Sequence, residues 1–233
     1  MNLFRADRCL LCHEIINLPV GWVSLFSPEK EKLLCSDCEG KLQPILGETC
    51  RLCCRILNEF RREDLCIDCV RWEEDPEWQG VLERNISLYV YNDFLKEVIA
   101  RFKYRGDYVI AKAFANPIKE KLIGDVFIPI PLSEERLFER GFNQSEALLS
   151  GAGIPATLGI LTRVHTEKQS KKTRNERIHL PQVFQITEDT KIYGKKVVLI
   201  DDIYTTGSTL RHAAKLLKEA GAKSVESFTL ARG

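Results

Sequence analysis

One stretch limits what this chain can fold into more than any other. Residues 197–210 read VVLIDDIYTTGSTL. Four consecutive apolar residues, Val197 to Ile200, have the pattern of a short strand buried on both faces. Two carboxylates, Asp201 and Asp202, follow as an acidic corner. Thr205, Thr206, Gly207, Ser208 and Thr209 then form a small hydroxyl-rich loop. Leu210, Ala213, Ala214, Leu217 and Ala220 recur at helical spacing, and Gly221 suits the position after a last helical turn. The order is strand, acidic corner, hydroxyl loop, helix.

That order has a chemical meaning. A loop that opens a helix offers unpaired backbone N–H groups and the positive end of the helix dipole, both suited to phosphate. Gly207 permits positive φ and close approach of a ligand. The hydroxyls of Thr205, Thr206, Ser208 and Thr209 can donate to phosphate oxygens. Phosphate alone has no use for Asp201 and Asp202, whereas the two hydroxyls of a vicinal diol can both donate to carboxylates. Phosphate and diol together point to a ribose 5-phosphate. No P-loop lysine is present, which argues against a Walker site.

The other end of the chain has a different character. All nine cysteines fall between Cys9 and Cys69. They form four CxxC pairs, Cys9/Cys12, Cys35/Cys38, Cys50/Cys53 and Cys66/Cys69, and leave Cys54 over as a small packing residue. Two CxxC turns complete one tetrahedral zinc site. Sequential pairing places Cys9, Cys12, Cys35 and Cys38 on one zinc and Cys50, Cys53, Cys66 and Cys69 on a second. A cross-braced pairing remains open on spacing alone. Small ribbons have little core, so zinc binding would supply much of their folding free energy. The N-terminus has no signal-peptide pattern and no stretch is long enough to span a bilayer, so the expected place is the cytoplasm, without membrane insertion. Thiols stay reduced there, which disfavours disulfides. Four pairs are also too many for a redox CxxC.

Arg51, Arg55, Arg61 and Arg62 surround the second ribbon and could touch phosphates, but Glu59, Glu63 and Asp64 nearly cancel them. His13 reads as an exposed residue rather than a ligand. Residues 71–80, RWEEDPEWQG, form an acidic linker whose Trp72 and Trp78 should pack against one side or the other. The expected division is a double zinc-ribbon unit with linker over 1–80 and a second unit over 81–233. At 44% hydrophobic and 29% charged residues with a net charge of +1, the chain can bury a core, and as a whole it is no electrostatic magnet for nucleic acid.

In the second unit, strand patterns at 86–91, 126–128, 155–161, 197–200 and 224–230 alternate with helical ones. A helical stripe runs from Phe94 to Phe102 and a second pattern from 108 to 122, interrupted by Pro117. A charged helix covers 133–140. Gly141 and Phe142 break it, and Asn143 with Glu146 signals the next N-cap. The alternation predicts an α/β fold, a parallel sheet with helices on both faces, with ligands beyond the carboxyl ends of the strands. Pro129, Ile130 and Pro131 close an earlier strand, and Arg136 and Arg140 beyond them could offer forked donors to a diphosphate. Residues 163–177, RVHTEKQSKKTRNER, are strongly basic and lack apolar periodicity, as expected of a mobile loop; Lys168, Lys171, Lys172, Arg174 and Arg177 carry its charge.

The segment VVLIDDIYTTGST closely resembles the ribose-phosphate signature of type I phosphoribosyltransferases, which bind phosphoribosyl pyrophosphate (PRPP). The layout as a whole, with four CxxC pairs, YRGD, PIPL, RGFNQ and KQSKKTRNER ahead of that segment, resembles the ComF family of late competence proteins over nearly the full chain. The resemblance implies a type I phosphoribosyltransferase-like sheet preceded by a small double zinc-ribbon domain. It implies PRPP with Mg²⁺ at Asp201, Asp202 and Thr205 to Thr209, pyrophosphate near Pro129–Pro131, and a flexible loop that closes over the anion. It further implies a role in taking up transforming DNA, on internalised single strands, beside a helicase-like ATPase. Three expectations follow: a PRPP-binding protein of DNA uptake that contacts single-stranded DNA, a working phosphoribosyltransferase whose acceptor the sequence does not name, and a zinc-ribbon adaptor with a vestigial PRPP site. A glutamine-dependent amidophosphoribosyltransferase is disfavoured, because the first cysteine, Cys9, already belongs to a CxxC pair.

Overall fold

The computed structural model describes residues 8–16, 32–104, 106–163, 183–187 and 191–233. Its centre is a four-stranded, fully parallel sheet. β3 (Asn85–Val90), β8 (Ser224–Arg232), β7 (Lys196–Tyr204) and β4 (Val126–Pro129) lie side by side in that order. β7 and β8 are the inner pair; β8 is buried throughout after Ser224, and β7 is buried from Val197 to Ile200 and again at Asp202 and Tyr204. The apolar run that begins at Val197 is what such a position requires.

Alternation along β7 divides the core in two. Val198 and Ile200 join Phe228 and Leu230 on one face. They are covered by α3 (Asp93–Tyr104), α4 (Ile110–Ala113), α5 (Ala115–Lys121) and α7 (Gln144–Gly151). Val197 and Leu199 face the other way, towards Leu210, Ala213, Ala214 and Leu217 of α8 (Ser208–Glu219). A small antiparallel pair, β5 (Leu161–Arg163) with β6 (Phe184–Ile186), completes that second face through Leu161 and Phe184.

The cysteine-bearing segments build no core of their own. Cys9, Leu11, Ile16, Leu34, Cys38 and Leu42 merge with the first face, alongside α1 (Ser36–Lys41). Cys50, Leu52, Cys53, Cys66 and Cys69 merge with the second, alongside β1 (Arg61–Arg62), β2 (Leu65–Cys66) and α2 (Ile67–Glu74). Each segment is thus sealed by a different side of one sheet.

The helix boundaries follow local chemistry. Ser133 caps α6 (Glu134–Arg140), its hydroxyl accepting from Arg136 N–H, and Gly141 ends the helix at φ +76°. Asn143 caps α7 by accepting from Ser145 N–H at 2.9 Å. The break expected at Pro117 falls earlier, at Phe114. Pro117 sits in the first turn of α5, where its missing N–H costs nothing.

Three other expectations are corrected. Residues 155–160 are not a strand of the sheet: Thr157 N–H reaches Phe127 O at 2.8 Å, Gly159 turns the chain at φ +80°, and pairing starts only at Leu161. Residues 71–80 are not an irregular linker throughout, because α2 continues to Glu74. β7 does not stop at Ile200. Pairing with β8 carries it through Asp201 to Tyr204, so the two carboxylates lie on the strand and not on a corner after it.

Candidate functional site

β7 delivers its carboxyl end directly to α8, with Thr205, Thr206 and Gly207 between them. Gly207 is the residue before the first helical turn, at φ +80°. No other residue fits there easily. A Cβ would also lie 2.1 Å from Tyr204 Oη and 2.4 Å from Tyr204 Cζ. Thr205 and Thr209 are exposed, Thr206 is half-buried and Ser208 is buried. The four hydroxyls therefore surround the start of an amphipathic twelve-residue helix, where backbone donors and the dipole favour an anion.

The carboxylates behind this loop have different surroundings. Asp202 is buried, and its Oδ2 is held by Lys103 Nζ at 2.6 Å, from the last turn of α3. Asp201 is half-buried and its Oδ1 accepts from Asp202 N–H at 2.9 Å. Burial pushes the Asp201 carboxyl up to about 7, and the charge on Asp202 adds to that; Asp202 N–H, Lys103 and Arg163 pull the other way. Burial and the Asp202 charge thus favour the protonated form of Asp201, and a cation or a pair of hydroxyl donors at this place would favour the carboxylate.

A cationic wall stands beside the pair. Burial draws the Arg163 guanidinium below its ordinary range, Arg136 and Arg140 repel it, and Asp201 attracts it. Arg136 is exposed on α6. Arg140 donates to Gln144 Oε1 at 2.7 Å and lies 5.6 Å over the Tyr104 ring, and its buried Nε has no partner. Pro129, the end of β4, pairs with Ile200; Ile130 N–H reaches Ile200 O at 2.9 Å, and Pro131 follows on the way to Ser133. Asn143 Nδ2 donates to Ile130 O at 3.0 Å, which ties the start of α7 to this strand end. Lys103 and Arg163 thus act on Asp201 and Asp202, and Arg136 and Arg140 lie within electrostatic reach of Arg163. The expected basic-loop residues Lys168, Lys171, Lys172, Arg174 and Arg177 lie outside the described residues.

The cysteines gather as two groups of four, Cys9, Cys12, Cys35 and Cys38, and Cys50, Cys53, Cys66 and Cys69, with the sulfurs of each group within 4.8 Å of one another. The pairing is sequential. A zinc ion about 2.3 Å from four thiolates sets the sulfurs roughly 3.8 Å apart. Cys12 and Cys35 stand at 3.7 Å, and Cys53 and Cys66 at 3.6 Å, so both groups fit the ion. Leu11 N–H points at Cys9 Sγ at 3.4 Å, the kind of backbone donor that steadies a metal thiolate. Burial works against a Cys9 thiolate, yet N–H groups of Cys35, Cys12 and Leu11 bring it down to about 7. In the second group, contacts from the thiols of Cys53, Cys66 and Cys69 hold Cys50 far below the usual thiol range. Cys54 stands apart and donates to Asn85 O at 3.1 Å.

The arginines around the second group are already neutralised within their own module. Arg51 meets Asp64 at 2.7 Å, Arg55 meets Asp68 at 3.1 Å, Arg62 meets Glu74 at 2.7 Å, and Arg61 pairs with Glu48. His13 is exposed, with Nε2 3.0 Å from Arg101 Nη2. Trp72 and Trp78 are buried against α8: Trp78 stacks edge-on to His212 at 4.6 Å, and Arg211 lies 5.1 Å over the Trp72 ring.

Local sequence reasoning did not find Lys103 or Arg232 as members of this neighbourhood, and it read Arg163 only as the first residue of the basic stretch 163–177. Arg232 is 5% exposed at the end of β8, and its guanidinium lies 4.8 Å over the Tyr204 ring. The one signal available was a charged residue closing an otherwise buried run, SFTLAR.

Comparison with known proteins agrees with this geometry. A family profile described as the phosphoribosyl transferase domain matches residues 141–233. The competence protein ComFC of Bacillus subtilis (strain 168) is 40% identical over 231 residues, 96% of this chain and 94% of that protein. ComFC of Streptococcus pneumoniae (strain ATCC BAA-255 / R6) is 37% identical over 229 residues, 97% of this chain and 100% of that protein. The DNA utilization protein YhgH of Salmonella typhi is 26% identical over 227 residues, 85% of this chain and 96% of that protein. Among the described residues no helix is long and apolar enough to cross a membrane.

Proposed function

Because the chain belongs to the ComF family of competence proteins, we propose that it binds PRPP, with Mg²⁺, at the end of β7 and serves DNA uptake in natural transformation, in contact with single-stranded DNA. The observation that carries the binding reading is the meeting of three unlike chemistries at one strand end. A glycine-capped helix start ringed by hydroxyls suits a 5-phosphate. Asp201 and Asp202 suit a diol. Lys103, Arg163 and Arg140 suit a diphosphate. Relatives named for competence and for DNA utilization support the cellular role.

In this reading Thr205 to Thr209 hold the 5-phosphate. Asp201 accepts from the ribose hydroxyls once its proton has left. Lys103, now on Asp202, is within reach of an arriving anion, which frees an Asp202 oxygen for the diol. Mg²⁺, held by Asp201 and Asp202 together with the ligand, would supply charge neutralisation on the diphosphate. Two zinc ions would occupy the two four-cysteine groups as structural metals, since four thiolates leave no open position.

Calorimetric titration of the full chain with PRPP and Mg²⁺ tests the site. The pair Asp201→Ala/Asp202→Ala should weaken binding by about tenfold or more, the scale expected when hydrogen bonds to charged groups are lost, while the circular dichroism spectrum stays unchanged. Equal affinity in the two proteins would sink the ribose assignment. A second reading, transfer of the ribosyl group to an acceptor, is favoured by an open cleft bordered by Gly141 and lined by Tyr108, Leu137, Phe142, Glu146 and Ser150. Pyrophosphate release on adding an acceptor would establish it.

A further inference from the structure

The loop that would cradle the phosphate does not set its own shape. Three successive carbonyls, one on the last residue of β7 and two on the first residues of the loop, are held from outside. Arg232 Nη1 donates to Tyr204 O at 3.2 Å and to Thr205 O at 3.0 Å, and also reaches Gly233 O. Trp72 Nε1 donates to Thr206 O at 2.9 Å. Both donors are anchored on the second cysteine group. The same guanidinium gives Nε to Cys53 O at 3.0 Å and Nη2 to Cys53 Sγ at 3.4 Å. Trp72 lies on α2, which also carries Cys69 and begins just after Cys66. Glu73, the next residue on α2, meets the fully buried Arg211 in the first turn of α8 at 3.4 Å.

A trans peptide is planar, with its C=O and the following N–H pointing in opposite directions. Carbonyls 204, 205 and 206 drawn towards the cysteine group therefore turn the N–H groups of Thr205, Thr206 and Gly207 away from it. A guanidinium buried at this depth also needs a negative partner. Four thiolates on one divalent ion carry a net charge of about −2, which supplies it on the far side of the loop.

We propose that Arg232 and Trp72 are positioning residues that couple metal binding in the Cys50, Cys53, Cys66 and Cys69 group to the phosphate-facing geometry of residues 204–207. The coupling rests on the PRPP reading of that loop. Zinc in the second group fixes Cys53 and α2, these fix the two donors, and the donors fix the loop. Coupling between sites is reciprocal, so PRPP must in turn hold the metal more tightly.

The test uses the full zinc-loaded chain and two variants. Trp72→Phe keeps an aromatic side chain on α2 and removes the indole N–H together with the five-membered ring that carries it. Arg232→Met keeps the stem and removes all five guanidinium donors. Calorimetry with PRPP and Mg²⁺ should give about fivefold weaker binding for Trp72→Phe, the loss expected for one hydrogen bond, and a larger loss for Arg232→Met. Independently, in equilibrium competition with a chromogenic chelator, PRPP should raise the affinity of the wild-type chain for one of two zinc ions several-fold, and markedly less in Trp72→Phe. Wild-type PRPP affinity in Trp72→Phe, or zinc affinities that PRPP leaves unchanged, would overturn the coupling. A wild-type chain that binds no PRPP would overturn the ribose-phosphate reading itself and the coupling with it. Trp72→Phe keeps the question decidable even where Arg232→Met does not fold.

Discussion

Replacing Gly207 with alanine isolates the geometric demand at the start of α8. The backbone there sits at φ +80°, and an added Cβ would lie 2.1 Å from Tyr204 Oη, 2.4 Å from Cζ and 3.1 Å from Cε1. Tyr204 cannot step aside easily, because it is 2% exposed and Arg232 lies over its ring. Two costs add. An L residue in the left-handed region loses about 1–2 kcal/mol, and forcing a methyl into a packed site costs about 1–3 kcal/mol. The middle of the summed range is about 3–4 kcal/mol, which for a chain of this size lowers the thermal midpoint by roughly 6–16 °C. Scanning fluorimetry on the zinc-loaded chain measures it. The same experiment in a Tyr204→Phe background separates the two costs. The Tyr204 hydroxyl is buried without a hydrogen-bond partner, so its removal should be neutral or stabilising. It is also the atom nearest the new Cβ. Gly207→Ala should then cost at least about 1 kcal/mol less than in the wild type, a coupling that a double-mutant cycle resolves. A midpoint within about 1 °C of wild type, or equal costs in both backgrounds, would refute the argument from Tyr204.

Two further outcomes follow from the charges. The Asp201 carboxyl, raised to about 7 in the folded chain, binds a proton that the unfolded chain has already released above pH 4. The stability contribution of this group must therefore fall as pH rises from about 4, by at most ~1.4 kcal/mol per unit, and level off above about 7. Urea midpoints at several pH values should show this fall in the wild type relative to Asp201→Asn; parallel curves for the two proteins would contradict it. In the second cysteine module Arg51 and Arg62 are already paired with Asp64 and Glu74. Their joint replacement by alanine should leave single-stranded DNA affinity within about twofold and the salt slope unchanged. A slope reduced by about one per arginine would instead put this module on the DNA.

What the sequence disclosed was what is decided locally. The run at Val197, the helical stripe from Leu210, the serine cap of α6 and the asparagine cap of α7 all depend on neighbours a few residues away. The extension of β7 to Tyr204 does not. It comes from register with β8, where Asp201 stands opposite Thr229 and Tyr204 opposite Arg232. Residues 155–161 misled for the opposite reason. Their apolar, β-branched composition suits a strand, yet Gly159 turns the backbone and only Thr157 reaches β4. In the site, the hydroxyls and carboxylates were legible because they share one segment. Lys103 was not, since a lysine in a last helical turn usually faces water and here closes on Asp202 instead. The cysteine spacing allowed two pairings. Proximity in the fold selects the sequential one.

The placement of the two cysteine groups explains why one central sheet carries both. The first group abuts α3. Arg101 on that helix donates to Leu11 O and pairs with Asp107 at 2.7 Å, and Lys103, two residues further on, holds Asp202. The second group abuts the loop, through Arg232 and Trp72. One module therefore braces the element that sets the acidic end of the site, and the other braces the element that sets its hydroxyl end. Neither could do this as a free-standing ribbon, because its buried residues are shared with the face of the sheet it covers. Loss of metal from either group would open one face of the core while leaving the other sealed. The two ends of the site should then fail separately: the Lys103–Asp202 contact with the first group, the carbonyl clamp on residues 204–206 with the second.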